Sequence, residues 1–184
     1  MTASAKPTAS LRTLLLDAGR RLLDAGGAED LTEAAVCAAA ELPATTLRQA
    51  FDDWDDYRCA LLNDLFDEVR DRVTRITDNM PPSVERLKLA LETYFEANLG
   101  RPALRRLVLS LAFTPCGARL IQSRMTAFAV MMGIELRALH RPHPQASARL
   151  LTAAAAEIAL AEHEAGAREP ALRDTLFRYL ERAA

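Results

Sequence analysis

Residues 44–49 carry side chains that can contact DNA bases. The segment contains Arg48 and Gln49, together with Thr45 and Thr46. Arginine can pair with guanine through two hydrogen bonds, glutamine can pair in the same way with adenine, and a threonine methyl group suits thymine. The alternative is that Arg48 and Gln49 are ordinary solvent-exposed residues of a helix. The residue types alone favour this second interpretation.

Four aspartates follow directly, in the run Asp52-Asp53-Trp54-Asp55-Asp56. The N-terminus of a helix normally attracts phosphate, because its free N–H groups and its dipole are positive. Here carboxylates already occupy that position, and each one placed about 4 Å from a DNA phosphate costs roughly 1 kcal/mol even in water. The run therefore predicts a strong helix start that opposes DNA binding.

Catalytic and metal-binding patterns are not found in the sequence. His140 and His143 flank a proline in a turn, and His163 lies between two glutamates. No glycine-rich phosphate loop, GxSxG, HExxH or Cys/His motif occurs. The three cysteines have no CxxC spacing and are predicted to be buried, reduced thiols. We predict that the protein is not an enzyme and uses neither a cofactor nor a metal.

The composition is that of a folded protein of one or two domains. The chain has 184 residues, 50% of them hydrophobic and 26% charged, with a net charge of -2. The net charge is -4 over residues 1–60, -3 over residues 61–100 and +5 over residues 101–184. DNA contact by the first sixty residues must overcome their own charge, because Lys and Arg supply most of the non-specific affinity. No apolar stretch reaches the roughly 20 residues of a membrane helix and no secretion signal is evident, which predicts a cytoplasmic protein.

Helical periodicity from about residue 10 predicts an all-α protein of about nine helices. Ser10, Thr32 and Ser83 are predicted N-caps. The predicted helices run from Leu11 to Gly26-Gly27, over about 33–40, from Pro43 to about Ala50, and from the aspartate run to Asp78, followed by about 84–98, 102–113, 117–139, 145–165 and 170–182. Three short helices before a long fourth predict a small head on a larger body.

The stretch from Leu11 to Tyr57 resembles the N-terminal helix-turn-helix of the TetR family of bacterial repressors. The features that match are the opening helix LRTLLLDAGRRLLDAGG, Leu31-Thr32, Val36, Ala40, Leu42, Leu47 and Phe51. The resemblance implies a disordered tail at residues 1–9, a helix-turn-helix domain at 10–52, and a ligand-binding and dimerisation domain at 53–184.

The same resemblance implies which residues contact DNA. They are Thr32, Ala44, Thr45, Thr46, Arg48, Gln49 and Trp54. The chain departs from the family at Glu41, where a turn glycine is usual. It departs again at Thr45 and Arg48, where glycine and tyrosine are usual, and at Trp54, where a lysine commonly meets a phosphate.

Bulky and adaptable apolar residues in the middle of the chain predict a pocket for a small apolar ligand, and the resemblance places an inducer pocket there. The predicted ligand-binding residues are Tyr94, Ser110, Phe113, Gln122, Met125, Phe128 and Met132. The alternative is plain core packing.

The helix at about 145–165 is apolar nearly all round, so it must be covered on more than one side. The resemblance implies that the last two helices form a four-helix dimer interface. The predicted interface residues are Leu150, Leu151, Ala154, Ala155, Ile158, Leu172, Leu176 and Leu180. The alternative is an interior helix of a monomer.

The function that the resemblance implies is a homodimeric, ligand-responsive transcriptional regulator, a repressor that binds double-stranded DNA. A different class remains open. In that alternative, a dimeric helical protein of the same fold binds a ligand or a partner and has lost DNA binding because its head is acidic.

Overall fold

Nine α-helices and no strand are found in the part of the chain that the computed structural model describes, residues 8–182. The helices are α1 (Thr8–Ala25), α2 (Glu33–Ala39), α3 (Leu47–Ala50), α4 (Trp54–Thr77), α5 (Val84–Leu99), α6 (Pro102–Leu111), α7 (Pro115–Ala138), α8 (Pro144–Ala165) and α9 (Pro170–Arg182). Short 3-10 turns at Ala28–Asp30 and Ala44–Thr46 precede α2 and α3. None of the helices in this region is long and apolar enough to cross a membrane.

The all-α fold and the order of the helices are confirmed. Thr32 caps α2, because its hydroxyl oxygen accepts the N–H of Ala35 at 3.1 Å. Ser83 caps α5 in the same way and accepts the N–H of Arg86 at 3.0 Å. Helix α1 begins at Thr8, before the predicted cap Ser10, so residues 8 and 9 are helical rather than part of a tail. The rest of the predicted tail, residues 1–7, lies outside the described residues.

The first hydrophobic core joins the three short helices to the body. It contains Leu15 of α1, Leu47 of α3, Leu61 of α4 and Leu107 of α6, all buried. Burying one such side chain contributes about 1.5–3 kcal/mol. This core continues across the predicted border between residues 52 and 53, and the division into two domains stays a prediction.

Tyr57 anchors α4 to α1. Its hydroxyl donates to the backbone oxygen of Leu15 at 3.0 Å, and its ring meets the ring of Phe51 edge to face at 5.1 Å. A Cβ atom at Gly19 would lie 2.0 Å from the Tyr57 hydroxyl, so a larger residue does not fit there without movement. Burial raises the pKa of Tyr57. The phenol therefore stays neutral and keeps its proton for Leu15.

The second core is formed by α5, α7, α8 and α9. It contains Phe95, Leu136, Leu151 and Leu180, one from each helix, and α8 packs against the other three. The helix that the sequence shows as apolar nearly all round is thus largely covered within one protomer.

Candidate DNA-binding and ligand-binding sites

A tight turn joins α2 to the 3-10 turn before α3. Glu41 adopts the left-handed conformation with φ 57°, and its N–H donates to the Ala38 oxygen at 3.0 Å. The N–H of Leu42 donates to the Cys37 oxygen at 2.9 Å. This pair of hydrogen bonds ends many helices and usually has glycine at the left-handed position. Glutamate there costs roughly 1–2 kcal/mol in backbone strain.

Glu41→Gly is expected to raise the free energy of unfolding by about 0.5–1 kcal/mol. Relief of the strain exceeds the entropy that a glycine loses on folding. Urea denaturation measures the change. Glu41→Ala is the matched control, because it removes the same carboxylate but keeps a side chain at positive φ. Equal stabilisation by alanine would contradict the backbone explanation.

The segment before and within α3 presents four of its five predicted DNA-contacting residues to solvent. They are Ala44, Thr45, Arg48 and Gln49. Thr46 is only 6% exposed, and its prediction as a DNA contact is wrong. The reason is the 3-10 turn, in which the Thr46 N–H donates to the Pro43 oxygen at 2.9 Å and the Thr46 side chain is turned into the head. Thr32 is exposed at the start of α2.

Trp54 packs against the core instead of extending from the surface. Its ring stacks on Tyr57 with 5.0 Å between centroids and 14° between planes. It is half-buried against the first core. Trp54 thus contributes to packing at the start of α4, and its role as a DNA contact stays a prediction.

Arginines of the head have partners within the protein. The guanidinium of Arg12 lies 4.2 Å from the centroid of the Phe51 ring. Arg21 donates to a backbone oxygen of α2 at 2.8 Å. Arg48 is largely exposed but lies 3.8 Å from a carboxylate oxygen of Glu33. A nucleic acid would have to compete with these contacts.

The aspartates at the start of α4 act as its N-terminal cap, as predicted. Asp53 accepts the Asp56 N–H at 2.7 Å, and Asp55 pairs with Arg58. Asp52 is exposed beside them. The cap stabilises α4 and leaves negative charge next to the exposed residues of α3.

Four of the predicted ligand-binding residues lie inside the body. The rings of Tyr94 on α5 and Phe128 on α7 stack at 5.9 Å, with 24° between their planes. Met132 is buried, and Met125 is half-buried one helical turn before Phe128. Stacked aromatic rings beside flexible methionines form an adaptable apolar region.

The other three predicted ligand-binding residues are at the surface, and their role in ligand binding stays a prediction. Phe113 is 96% exposed, because α6 ends at Leu111 and Phe113 lies in the turn that follows. Ser110 is exposed, and its hydroxyl donates to the Leu107 oxygen of its own helix at 2.9 Å. Gln122 is exposed on the outer face of α7.

Two adjoining cavities both border on Gly100 and Arg101. The larger, about 220 Å³, lies where the head meets the body, and the smaller, about 110 Å³, lies between α4 and α5. Both are smaller than the roughly 300 Å³ at which ligand sites begin. Arg101 borders both, and its guanidinium donates to the two carboxylate oxygens of Glu68 at 2.9 and 2.7 Å. This hydrogen bonding holds the pKa of Glu68 below its ordinary value. Arg106 pairs with Glu29 of the head at 2.6 Å. The spacing of charged residues in the sequence does not predict ion pairs between positions so far apart.

The cysteines differ from the sequence prediction. Cys59 of α4 and Cys116 of α7 are joined as a disulfide, with Cα atoms 6.5 Å apart. Packing of α4 against α7 brings together two residues that are 57 positions apart. Cys37 is buried and free, as predicted.

Solved structures of transcriptional regulators have this arrangement of helices. A transcriptional regulator from Rhodococcus sp. Rha1 superposes with a TM-score of 0.72 at 18% identity, covering 94% of this chain and 92% of the other. The regulatory protein TetR from Rhodobacter sphaeroides gives a TM-score of 0.69 at 16% identity, covering 94% and 98%. The chain has the TetR-family fold. The multidrug binding protein EbrR, complexed with imidazole, has the same fold, with a TM-score of 0.67 at 21% identity over 94% and 93% of the two chains. No protein-family model and no curated protein sequence matches the chain.

In this TetR-like body, most of the predicted interface residues are core residues of one protomer. The five that are buried are Leu151, Ala155, Ile158, Leu176 and Leu180. Their assignment to an interface is corrected, because α8 and α9 use these faces against each other and against α5 and α7. Leu150 and Leu172 are exposed, and Ala154 is half-buried.

Large exposed apolar side chains, not predicted as a set, occur on α7, α8 and α9. Leu150 itself is 66% exposed on the outer side of α8. The neighbouring helices α7 and α9 add other large exposed apolar side chains. They are Val130, Met131, Ile134, Leu172 and Tyr179. The spacing of 130, 131 and 134 places three of them on one stripe of α7. We call these six residues the outer apolar face.

Proposed function

We propose that this protein is a homodimeric transcriptional repressor of the cytoplasm that binds double-stranded DNA and responds to a small apolar ligand. The observation that carries the proposal is the exposed set Thr45, Arg48 and Gln49, on α3 and the 3-10 turn that leads into it, in a TetR-like fold. In such motifs the second helix enters the major groove and contacts base edges. Arg48 and Gln49 have the geometry for guanine and adenine, respectively.

The dimer supports this function because paired heads contact two half-sites of DNA. The outer apolar face is the surface that we assign to a second copy of the chain. Exposed apolar groups gathered on adjacent helices are typical of association surfaces. The two heads would then be held at a separation set by the two bodies.

Leu150→Glu is expected to convert the dimer to a monomer. It places a charge on the outer apolar face, where pairing would remove it from water. Sedimentation equilibrium at micromolar concentration should give about 40 kDa for the wild type, twice 20.2 kDa, and half of that for the variant. Leu109→Glu is the control, since Leu109 is also exposed but lies on α6. A monomeric wild type, or monomers from both variants, would contradict the assignment.

The ligand response is supported by the interior of the body. Tyr94, Phe128 and Met132 belong to one apolar cluster, and the flexible Met132 can adapt to a ligand by changing rotamer. EbrR, which has the same fold, is described as a multidrug binding protein. A ligand that enters between α5 and α7 would be next to α4, the helix that carries the head.

The experiment that tests this function is binding to fragments of the source genome at low and moderate salt. The repressor proposal expects the wild type to select a small set of fragments over random DNA, with this selectivity reduced in Arg48→Ala. Arg48→Ala should weaken binding at one base position by about 1–3 kcal/mol. Uniform weakening over all sequences would instead indicate a phosphate contact.

A second function is favoured by the charge of the head. Asp52 and Asp53 are exposed beside the contact helix, and Arg48 lies 3.8 Å from Glu33. These carboxylates favour a dimeric protein of the same fold that binds a ligand or a partner and no longer binds DNA. This proposal would replace the first if the wild type binds no genomic fragment at low salt while a variant lacking head carboxylates does bind.

A further inference from the structure

Helices α2 and α3 are too short to hold their own shape. Helix α2 has seven residues, Glu33–Ala39, and α3 has four, Leu47–Ala50. Isolated helices shorter than about 12–15 residues are marginal in water, so their order comes mainly from contacts with the rest of the protein. The direction of the exposed side chains of Arg48 and Gln49 therefore depends on the contacts that hold α3.

The last four backbone oxygens of α2 all accept a hydrogen bond, although such oxygens have no partner within their own helix. Those of residues 36, 37 and 38 accept, at 2.9 to 3.0 Å, the N–H groups of Ala40, Leu42 and Glu41, in that order. The fourth oxygen, that of Ala39, accepts from the Nη2 of Arg21 at 2.8 Å. Arg21 of α1 thus completes the C-terminal cap of α2.

Arg12 of α1 is bonded to the end of α3 in the same way. Its Nη1 donates to the oxygen of Ala50, the last residue of α3, at 3.0 Å. Its guanidinium also lies over the Phe51 ring, which is 3% exposed and meets the Tyr57 ring edge to face. Arginine side chains commonly bond the last oxygens of a helix. Here the arginine comes from a different helix, so it ties the residue after Gln49 to α1.

The two arginines hold the helix-turn-helix at two separate points. They are nine positions apart on α1, which is two and a half helical turns and about 13 Å along the axis, so they leave α1 on opposite sides. Helix α1 has 18 residues, and Leu15 and Ala18 fix it in the first core. Two contacts this far apart resist rotation of α2 and α3 against α1, which a single contact would not.

We propose that Arg12 and Arg21 are positioning residues for the recognition of DNA bases. They act through α3, whose Arg48 and Gln49 meet the base edges, and they make no contact with the DNA themselves. Each guanidinium is already held on a backbone oxygen of the head. The inference rests on the proposed DNA-binding function and names two residues of α1 on which sequence selectivity depends.

The first test uses the free protein and measures hydrogen–deuterium exchange by NMR. Arg12→Met removes the charge and every donor but keeps an unbranched side chain. It should speed exchange of the Phe51 amide, which is bonded within the turn of α3, by about twofold to tenfold, the effect of one lost hydrogen bond. Arg21→Met should do the same at the Leu42 amide. Each variant should leave the other amide unchanged.

The second test measures DNA binding by fluorescence anisotropy over a salt series. The two probes are the genomic fragment that the wild type selects and a random-sequence duplex of the same length. The ratio of the two affinities should fall by about twofold to tenfold in Arg12→Met and in Arg21→Met. The slope of log affinity against log salt should stay the same on both duplexes, because no phosphate contact is lost.

Two further variants complete the comparison. Arg12→Lys keeps the charge and a donor and should recover part of the ratio, although a lysine does not reproduce the stacking of a guanidinium on a ring. Arg75→Met is the matched control, since Arg75 is exposed in the last turn of α4, and it should match the wild type in both tests. A thermal melt checks that every variant is folded at the temperature of the assays.

Unchanged exchange at Phe51 and Leu42 would overturn the inference whether or not the protein binds DNA. Equal weakening on both duplexes, with a slope lower by about one unit, would also overturn it and would indicate a phosphate contact. Selective binding by the wild type with the same ratio in both methionine variants would reject the positioning role alone. A wild type without selective binding would reject the proposed function, and the role in base recognition would fall with it.

Discussion

Arg173→Ala is expected to lower the free energy of unfolding by about 3–5 kcal/mol, the range for breaking a buried ion pair by removing one partner. Arg173 is 4% exposed, and Glu162 is 1% exposed. The guanidinium donates to both carboxylate oxygens of Glu162, at 2.5 and 2.7 Å, and to Glu92 and Glu96 at 2.7 Å each. Its removal leaves three carboxylates without their shared cation where α5, α8 and α9 meet.

The loss should depend on pH. Burial raises the pKa of Glu96, but hydrogen bonds from Arg173 and Arg168 outweigh it and hold that pKa below its ordinary value. In the wild type this stabilisation is present above the unfolded pKa of about 4.3 and is lost as the pH falls through the lower folded value. Without Arg173 the carboxylate of Glu96 loses one of the two hydrogen-bond donors that lower its pKa, so this pKa rises in the variant and protonation of Glu96 relieves the repulsion. The difference between wild type and variant should be smaller at pH 5 than at pH 7.5.

Urea denaturation at the two pH values measures both effects. Arg178→Ala is the matched control, because Arg178 is exposed on the same helix and its removal should change stability by less than about 0.5 kcal/mol. Glu162→Gln combined with Arg173→Met should cost less than the sum of the single changes, by about 0.5–3 kcal/mol. A loss in Arg173→Ala below 1 kcal/mol, or one independent of pH, would contradict the role given to the network.

Local chemistry explains why the helices could be predicted from the sequence. Thr32, Asp53 and Ser83 bond the N–H groups three residues ahead, an interaction that depends on neighbouring residues only. The left-handed Glu41 follows in the same way from its place in the turn. Such local features can be predicted without knowing which helices pack against each other.

The packing of the helices determines which residues are buried, and this could not be predicted from the sequence. Residues 150–161 are apolar on nearly every side, so periodicity does not distinguish Leu150 on the surface from Leu151 in the core. Thr46 and Arg48 are two positions apart, and a 3-10 turn between Pro43 and Thr46 determines which of them faces solvent.

Ion pairs between segments far apart in the chain could not be predicted from the sequence either. Arg173 and Glu92 are 81 positions apart, and only the meeting of α9 with α5 reveals that they interact.

Glu33→Gln combined with Asp52→Asn is expected to increase affinity for DNA by about 10- to 30-fold at low salt. Each carboxylate about 4 Å from a phosphate costs roughly 1 kcal/mol in water. Removing two of them changes the free energy of binding by about 2 kcal/mol, because the two energies add. Glu33→Gln also releases Arg48 from its 3.8 Å pairing. If Arg48 then meets a phosphate, the slope of log affinity against log salt should steepen by about one unit. Fluorescence anisotropy over a salt series measures affinity and slope together.

The control for this prediction is a variant with the same change in net charge elsewhere. Asp78 and Asp174 are exposed, and both lie far along the chain from α3. If Asp78→Asn with Asp174→Asn increases affinity as much as the head variant, overall charge is responsible and not this surface. Adding Arg48→Ala to the head variant should remove the steeper slope and part of the gain. A gain that persists in full would show that α3 does not hold Arg48 against the DNA, and removal of the Glu33 and Asp52 carboxylates would then account for the whole increase in affinity.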